Sequence, residues 1–246
     1  MTLQEHFEQT GTWLFRWRSF LPLFLLPFFA MSFVSYHYPL YSELGDRIWE
    51  GICLFTGFLG MGIRVWTIGC VPASTSGRNT KSQVAEKLNT TGIYSIVRHP
   101  LYLGNFFMML GVVMFPCNVW VILVYILLFM VYYERIMFTE EAFLRGKYGD
   151  EYMAWVEKTP AFFPRFSAYR PSELSFSFRN VLGREYNGLF AFIISLFVLE
   201  EVSELIVNHN LQIDLFWGIL TGLSFLSWIV LRTLKKYTRV LKVKGR

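Results

Sequence analysis

Residues His99–Tyr133 read HPLYLGNFFMMLGVVMFPCNVWVILVYILLFMVYY, 35 residues without one Asp, Glu, Lys or Arg. A helix crosses a hydrocarbon core of about 30 Å with about 20 residues, at about 1.5 Å each. The stretch is too long for one crossing, and Pro116, Cys117 and Asn118 interrupt it near its middle. It therefore predicts two helices in a tight hairpin. Working outward, Ser19–Ser42 is also uncharged and predicts a first span, although Pro22 and Pro27 lie within it. The second is expected from about Asp46 to Cys70. Its glycines (Gly51, Gly57, Gly60, Gly62, Gly69) suit close helix contact, and Arg64 lies near its inner end. Tyr186–Val207 and Leu211–Leu234, joined by Asn208-His209-Asn210, supply the last two. The expected fold class is all-α: a polytopic integral membrane protein of about six transmembrane helices.

The composition agrees. Of 246 residues, 54% are hydrophobic, 19% aromatic and only 17% charged, with a mean hydropathy of +0.38. An ordinary soluble domain has about 25% charged residues, so disorder, a collagen-like repeat and a small disulfide scaffold are excluded. Cys53, Cys70 and Cys117 are widely spaced in or beside apolar runs, and the four histidines are scattered. No metal site is expected. No cleavable signal peptide is apparent, since Glu5 and Glu8 precede Arg16. The net charge of +5 suits anionic lipid, and no nucleic-acid motif is present.

Six spans put both termini on one side. On that reading 22 of the 23 Lys and Arg residues share a side, and Arg47 alone lies opposite. The positive-inside rule then places both termini and both long loops in the cytoplasm of a multi-pass protein, as in a bacterial inner membrane. One loop covers Val71–Arg98. The other covers Glu134–Glu185 and opens with a charged helical stretch, Glu134–Glu157, whose apolar residues form a face for the bilayer or the core.

Polar chemistry concentrates where these loops meet the hairpin. Arg98, His99 and Tyr102 fall within one helical turn, with His99 and Tyr102 on one face. Each has a plain structural reading: Arg98 as a headgroup anchor, Tyr102 in an aromatic belt, Pro100 at a helix start. Arg135, Glu140 and Glu141 stand at the far end of the same hairpin, where a solvated helical face is the plain reading. The hairpin returns both clusters to one membrane surface.

These segments resemble the isoprenylcysteine carboxyl methyltransferase and phospholipid methyltransferase superfamily. The matching pieces are Gly92-x-Tyr94-x-x-x-Arg98-His99-Pro100-x-Tyr102-x-Gly104, the hairpin, Glu140-Glu141-x-x-Leu144-x-x-x-Tyr148-Gly149-Asp150-Glu151-Tyr152, and Thr159-Pro160-x-Phe162-x-Pro164. The resemblance covers about residues 60 to 166. It implies methyl transfer from S-adenosylmethionine to a lipid or lipidated substrate, with a cofactor pocket open to the cytoplasm and a lateral opening for the lipid. Carried over by position, Leu88 and Gly92-Ile93-Tyr94 line the cofactor's amino-acid end. His99 and Tyr102 hold its polar groups, and Glu140 or Glu141 its ammonium or ribose. Arg98 and Arg135 face the acceptor, with Glu140 counted beside them as catalytic. The family places an Arg and a Glu about one turn apart after the hairpin, whereas Arg135 lies five or six residues before the glutamates.

An arginine fork suits a phosphate or carboxylate oxygen, and two candidates at the mouth favour an anionic acceptor. A lipid A phosphate and a prenylcysteine carboxylate both fit. An amine acceptor would instead use a glutamate base. NADPH-dependent reduction of a sterol-type double bond and a non-catalytic helical scaffold are the competing classes. The expected organisation is an N-terminal pair of spans (1–70), a methyltransferase core (71–166), and an interfacial segment with a C-terminal pair (167–246). Glu200, Glu201 and Glu204 are expected at the outer boundary, because a mid-membrane carboxylate costs roughly 2.5–3.5 kcal/mol.

Overall fold

A computed structural model describes residues 2–18, 20, 24, 26–34, 36–72, 87–210, 213–243 and 245. Half of the polar loop expected over Val71–Arg98, residues 73–86, lies outside them. Among the described residues there is no strand, and eight α-helices carry the architecture: α1 (Leu3–Trp17), α2 (Leu26–Met31), α3 (Glu43–Gly69), α4 (Pro100–Val113), α5 (Val119–Tyr148), α6 (Asp150–Val156), α7 (Phe178–Asn208) and α8 (Leu215–Tyr237). The protein is an all-α membrane protein. By length and composition α3, α5 and α8 can cross a membrane. α7 is longer than any of these but carries charged residues near both ends, and α4 is a shorter apolar helix.

Residues 19, 21–23, 25 and 35 of the expected first span lie outside the described residues; the others between 19 and 42 include the six-residue α2 and a 3-10 turn at Pro39–Tyr41. Pro27 fits α2 because it occupies the first turn, where a missing N–H costs no hydrogen bond. The charged stretch from Glu134 is no separate helix. It continues α5 to Tyr148 and breaks at Gly149, whose φ of +51° favours glycine. α7 begins at Phe178 and absorbs the end of the expected interfacial segment.

The hairpin forms as expected. Cys117 takes a positive φ in the turn, and the Asn118 side chain caps α5 by accepting from Trp120 N (3.0 Å) and Val121 N (3.3 Å). Glycines set the approach of α3 to α4: a Cβ on Gly60 would strike the Gly104 carbonyl oxygen, and one on Gly111 would lie 2.6 Å from Cys53 O. Such small-residue contact lets backbones nearly touch where hydrophobic burial cannot drive association. It also carries Arg64 of α3 alongside Asn105 of α4. An aromatic cluster of Phe106, Phe129, Tyr133 and Phe162 fills the space between α4, α5 and the segment after α6.

Candidate active site

His99 stands at the N-cap position of α4 without a side-chain capping bond, followed by Pro100 at the first helical position. Its orientation comes from the Thr159–Pro164 segment. Pro160 O accepts from Arg98 N at 2.9 Å, Ala161 O from His99 N at 3.2 Å, and Arg165 N donates back to Ile96 O at 2.9 Å. The second motif thus holds the first by backbone pairing. Gly92 adopts φ +61° and ψ −135°, a region essentially reserved for glycine, and its N–H donates to Arg170 O at 2.9 Å. The Ile93–Ser95 turn follows, with Ile93 in the core. The Trp155 indole donates to Tyr94 O at 3.0 Å, which ties α6 to the same turn.

α5 delivers the acids. Glu141 Oε1 lies 2.9 Å from His99 Nε2 and 3.2 Å from Arg98 Nε, the latter an ion pair rather than an aligned hydrogen bond. A carboxylate only accepts, so the short contact puts a proton on His99 Nε2. Glu140 Oε2 accepts from the Tyr102 hydroxyl at 3.0 Å and stands 3.7 Å from His99 Nδ1. His99 is buried, and its ring stacks on Tyr102. Glu141 lies two turns beyond Tyr133, where the uncharged stretch ends. Burial alone would raise its carboxyl, but the hydrogen bond and charge of His99 and the charge of Arg98 outweigh this and hold it below the usual carboxylate range. Burial and then the Glu140 charge push the Tyr94 phenol up, so it stays protonated.

Two cavities meet at this cluster and share Tyr94, Arg98, His99 and Glu140 as a wall. The smaller, about 60 Å³, is completed by Leu88, Asn89, Glu141, Tyr152 and Trp155. The Asn89 amide nitrogen is buried there with no hydrogen-bond partner among the described residues. The larger, about 170 Å³, adds Tyr102, Asn105 and Tyr133, together with the charged groups Arg18, Arg64, Arg184 and Glu185. Arg64 is held as a fork: Nε and Nη2 donate to Glu185 at 2.7 and 2.8 Å, and Nη1 to Asn105 Oδ1 at 2.5 Å. An apolar groove of about 400 Å³ is lined by Met108 and Val112 of α4, Tyr125 and Leu128 of α5, and Ala191 and Phe192 of α7, helices that also contribute residues to the chamber.

Of the residues singled out from sequence, Leu88, Tyr94, Arg98, His99, Tyr102, Glu140 and Glu141 come together, while Gly92 and Ile93 build the turn behind them. Arg135 does not join them. Its guanidinium sits 3.5 Å from the Phe7 ring centroid, against α1. Sequence reading missed the chamber-lining roles of Arg64, Asn105, Arg184, Glu185 and Arg18. Arg64 as a charge in an apolar helix, and Asn105 beside the Arg-His-Pro run, were the available signals. Toward the other ends of α3 and α7, Glu200 is buried within the protein. Asp46, Glu50 and Glu200 each bring a carboxylate oxygen within 4.8 Å of the others, a grouping that could hold a metal ion. Tyr36 donates to Asp46 at 2.9 Å and the Trp217 indole to Glu50 at 3.2 Å.

Residues 48–151 match the phospholipid methyltransferase family. The cobalt-zinc-cadmium resistance protein CzcN of Cupriavidus metallidurans is 36% identical over 128 residues, 51% of this chain and 56% of that protein. The nickel-cobalt-cadmium resistance protein NccN of Alcaligenes xylosoxydans xylosoxydans is 28% identical over 126 residues, 51% of this chain and 59% of that protein. The protein-S-isoprenylcysteine O-methyltransferase of Schizosaccharomyces pombe is 34% identical over 114 residues, 44% of this chain and 47% of that protein. The chain thus spans about half the length of the curated relatives it matches. No solved structure matches it.

Proposed function

We propose that this chain, whose residues 48–151 match the phospholipid methyltransferase family, is an integral-membrane methyltransferase that methylates an anionic oxygen of a lipid or lipidated substrate, with S-adenosylmethionine as donor. The observation that carries this reading is that α4, α5 and α7 contribute both to an arginine-lined chamber and to an apolar groove. The chamber suits a charged head and the groove a hydrocarbon chain. The charge bias of the loops supports a multi-pass protein whose site faces the cytoplasm.

The smaller cavity suits the donor's polar end. Glu140 and Glu141 offer carboxylates to an ammonium, Asn89 offers an unsatisfied buried donor, and Tyr94, Tyr152 and Trp155 offer aromatic faces to a cationic group. When bound, S-adenosylmethionine supplies an electrophilic methyl group. An anionic acceptor needs no proton removed, so the chain's task is alignment and exclusion of water. Arg98, at the shared wall, orients the acceptor oxygen. Glu141 holds both Arg98 and His99 in place, and the protonated Tyr94 contributes surface rather than base.

Calorimetric titration of the detergent-purified protein with adenosylhomocysteine, against NADPH, tests the reaction class. Saturable binding of adenosylhomocysteine alone is expected, weakened by His99→Ala; Tyr102, which lines the larger chamber rather than the donor cavity, is expected to matter less. NADPH binding in its place would refute the reading in favour of a reductase.

A further inference from the structure

Residues 215–246 carry seven Lys or Arg and no Asp or Glu. All seven follow Val230, in and beyond the last turns of α8, a helix long and apolar enough to cross a membrane. Arg232, Lys236, Arg239 and Lys242 are exposed, and among the described residues none of the four forms an ion pair. Arg232 lies over the Trp228 ring at 4.7 Å and Lys236 over the Tyr237 ring at 5.1 Å. Aromatic rings and long basic side chains gather in this way where a helix leaves the hydrocarbon for the headgroup layer. Beyond the helix the chain turns back. Lys242 N donates to Arg239 O at 3.0 Å, Lys235 Nζ to Gly183 O of α7 at 2.5 Å, and a Cβ on Gly183 would meet Leu241 O at 3.6 Å. The basic turn therefore rests on the start of α7, where Arg179 is exposed in the first turn.

Helix electrostatics explain only part of this. Cations in the last turn of α8 complement its dipole, which accounts for Lys235 and Lys236. The effect fades past the last turn, so it does not account for Arg239 or Lys242, and at the N-terminus of α7 it opposes Arg179. No acid nearby balances the group. Between Leu174 and Leu199 the one carboxylate is Glu185, whose two oxygens are taken by Arg64. Like charges closer than the Debye length of about 8 Å repel, and an anion outside the chain relieves that repulsion. Beside a membrane-crossing helix the available anion is the headgroup phosphate, and clusters of roughly 4–8 Lys or Arg at such a position bind anionic lipid. We propose that the end of α8 and the start of α7 form a binding surface for anionic phospholipid headgroups, with Arg179, Arg232, Lys236, Arg239 and Lys242 as its cationic contacts. The surface lies outside the family-matched residues 48–151 and does not depend on the methyl-transfer reading. Because the basic turn rests on Gly183, directly before Arg184 and Glu185 of the chamber, a lipid bound there also steadies that part of α7.

The test uses the full chain in mixed micelles of phosphatidylglycerol and phosphatidylcholine with matched acyl chains, and native mass spectrometry counts the lipids retained. Phosphatidylglycerol is expected to be retained in preference. In the Arg239→Gln/Lys242→Gln double variant that preference is expected to fall about fivefold for each charge removed. Arg145→Gln/Lys158→Gln removes the same charge from exposed positions on α5 and after α6, and is expected to keep the wild-type preference. If the first double variant fails to fold, Arg232→Gln/Lys236→Gln takes its place. A second readout is the melting temperature in nanodiscs, expected to be higher in phosphatidylglycerol than in phosphatidylcholine and to lose that difference at about 1 M salt, where the Debye length is about 3 Å. Equal retention of the two lipids by the wild-type protein would overturn the proposal. Equal losses in the two double variants would also overturn it, since net charge rather than this surface would then set the preference. A melting difference that survives high salt would refute headgroup charge as the basis of recognition.

Discussion

Gly104→Ala probes the α3–α4 contact and the arginine fork in one change. A Cβ at residue 104 would lie 2.5 Å from Arg64 Cγ and 2.9 Å from Gly60 O. Ordinary contact begins near 3.4 Å, so one neighbour must retreat by about 1 Å. The Gly60 carbonyl belongs to helix backbone, and Arg64 is tied by three hydrogen bonds. Overpacking of this kind costs about 1–3 kcal/mol, and a lost hydrogen bond to a charged group about 1.5–3 kcal/mol. The gain in helix propensity from Gly to Ala returns about 1 kcal/mol. The expected net loss is about 2–4 kcal/mol, or roughly 5–15 °C in Tm at about 2–4 °C per kcal/mol for a chain of this size. A displacement near 1 Å can also cost about 10²-fold in turnover. Gly62→Ala is the control: it lies in α3, is exposed, and its Cβ meets nothing within 4 Å. Thermal unfolding in one detergent, followed by circular dichroism, compares the two. Gly104→Ala melting within a degree of wild type, or Gly62→Ala losing as much, would refute the reasoning.

Arg135→Ala is expected to keep near wild-type methylation while losing about 0.5–2 kcal/mol of stability with its contact to Phe7; a large fall in kcat at unchanged Tm would restore it to the site. Gly92→Ala imposes a side chain at φ +61°, with a Cβ 3.2 Å from Ser172, and is expected to cost about 1–3 kcal/mol and to weaken adenosylhomocysteine binding through the adjoining Tyr94 turn, read by calorimetry. The Glu141 carboxyl is held below its ordinary value of 4.5 in the folded chain, so its pairing with His99 and Arg98 stabilises fully above the unfolded carboxylate range and is lost as pH falls through the lower folded value. Melting temperatures between pH 7 and pH 3 should therefore decline less steeply in Glu141→Gln than in wild type, and parallel curves would count against the pairing.

How much of this was legible beforehand depends on the range of the interaction. The hairpin, the glycine-bearing second span and the acid–histidine cluster were readable, because each rests on local spacing or on a short motif returned to the same surface by one turn. Arg135 was misplaced for a geometric reason. In a continuous helix it stands about 140° and 240° around the axis from Glu140 and Glu141, so it faces α1 while they face α4. Only the knowledge that α5 runs unbroken to Tyr148 makes that angle computable. The pairing of Arg64 with Glu185 spans 121 positions, and Glu185 sits in a segment that reads as interfacial until α7 is seen to begin at Phe178. The expected first span falls partly outside the described residues; within them Pro27 stands in the first turn of the short α2, and hydropathy measures preference for lipid rather than the ability to keep a helix unbroken.

The shared wall has a consequence for how such a site diversifies. On the proposed reading, Tyr94, Arg98, His99 and Glu140 serve both cavities, and a change in any of them alters donor and acceptor at once. The remaining donor-side residues, Leu88, Asn89, Glu141, Tyr152 and Trp155, lie between α3 and α7, the last two just past the family-matched segment, whereas Arg18, Arg184 and Glu185 of the acceptor side stand after α1 or in α7. Substitution in α1 or α7 can therefore change the charge and depth of the acceptor chamber without moving a donor contact. Relatives that share residues equivalent to 87–155 but differ in α1 and α7 should bind adenosylhomocysteine alike and diverge in acceptor. A graft of α7 and α8 from such a relative that changed cofactor affinity while leaving acceptor preference untouched would contradict that division.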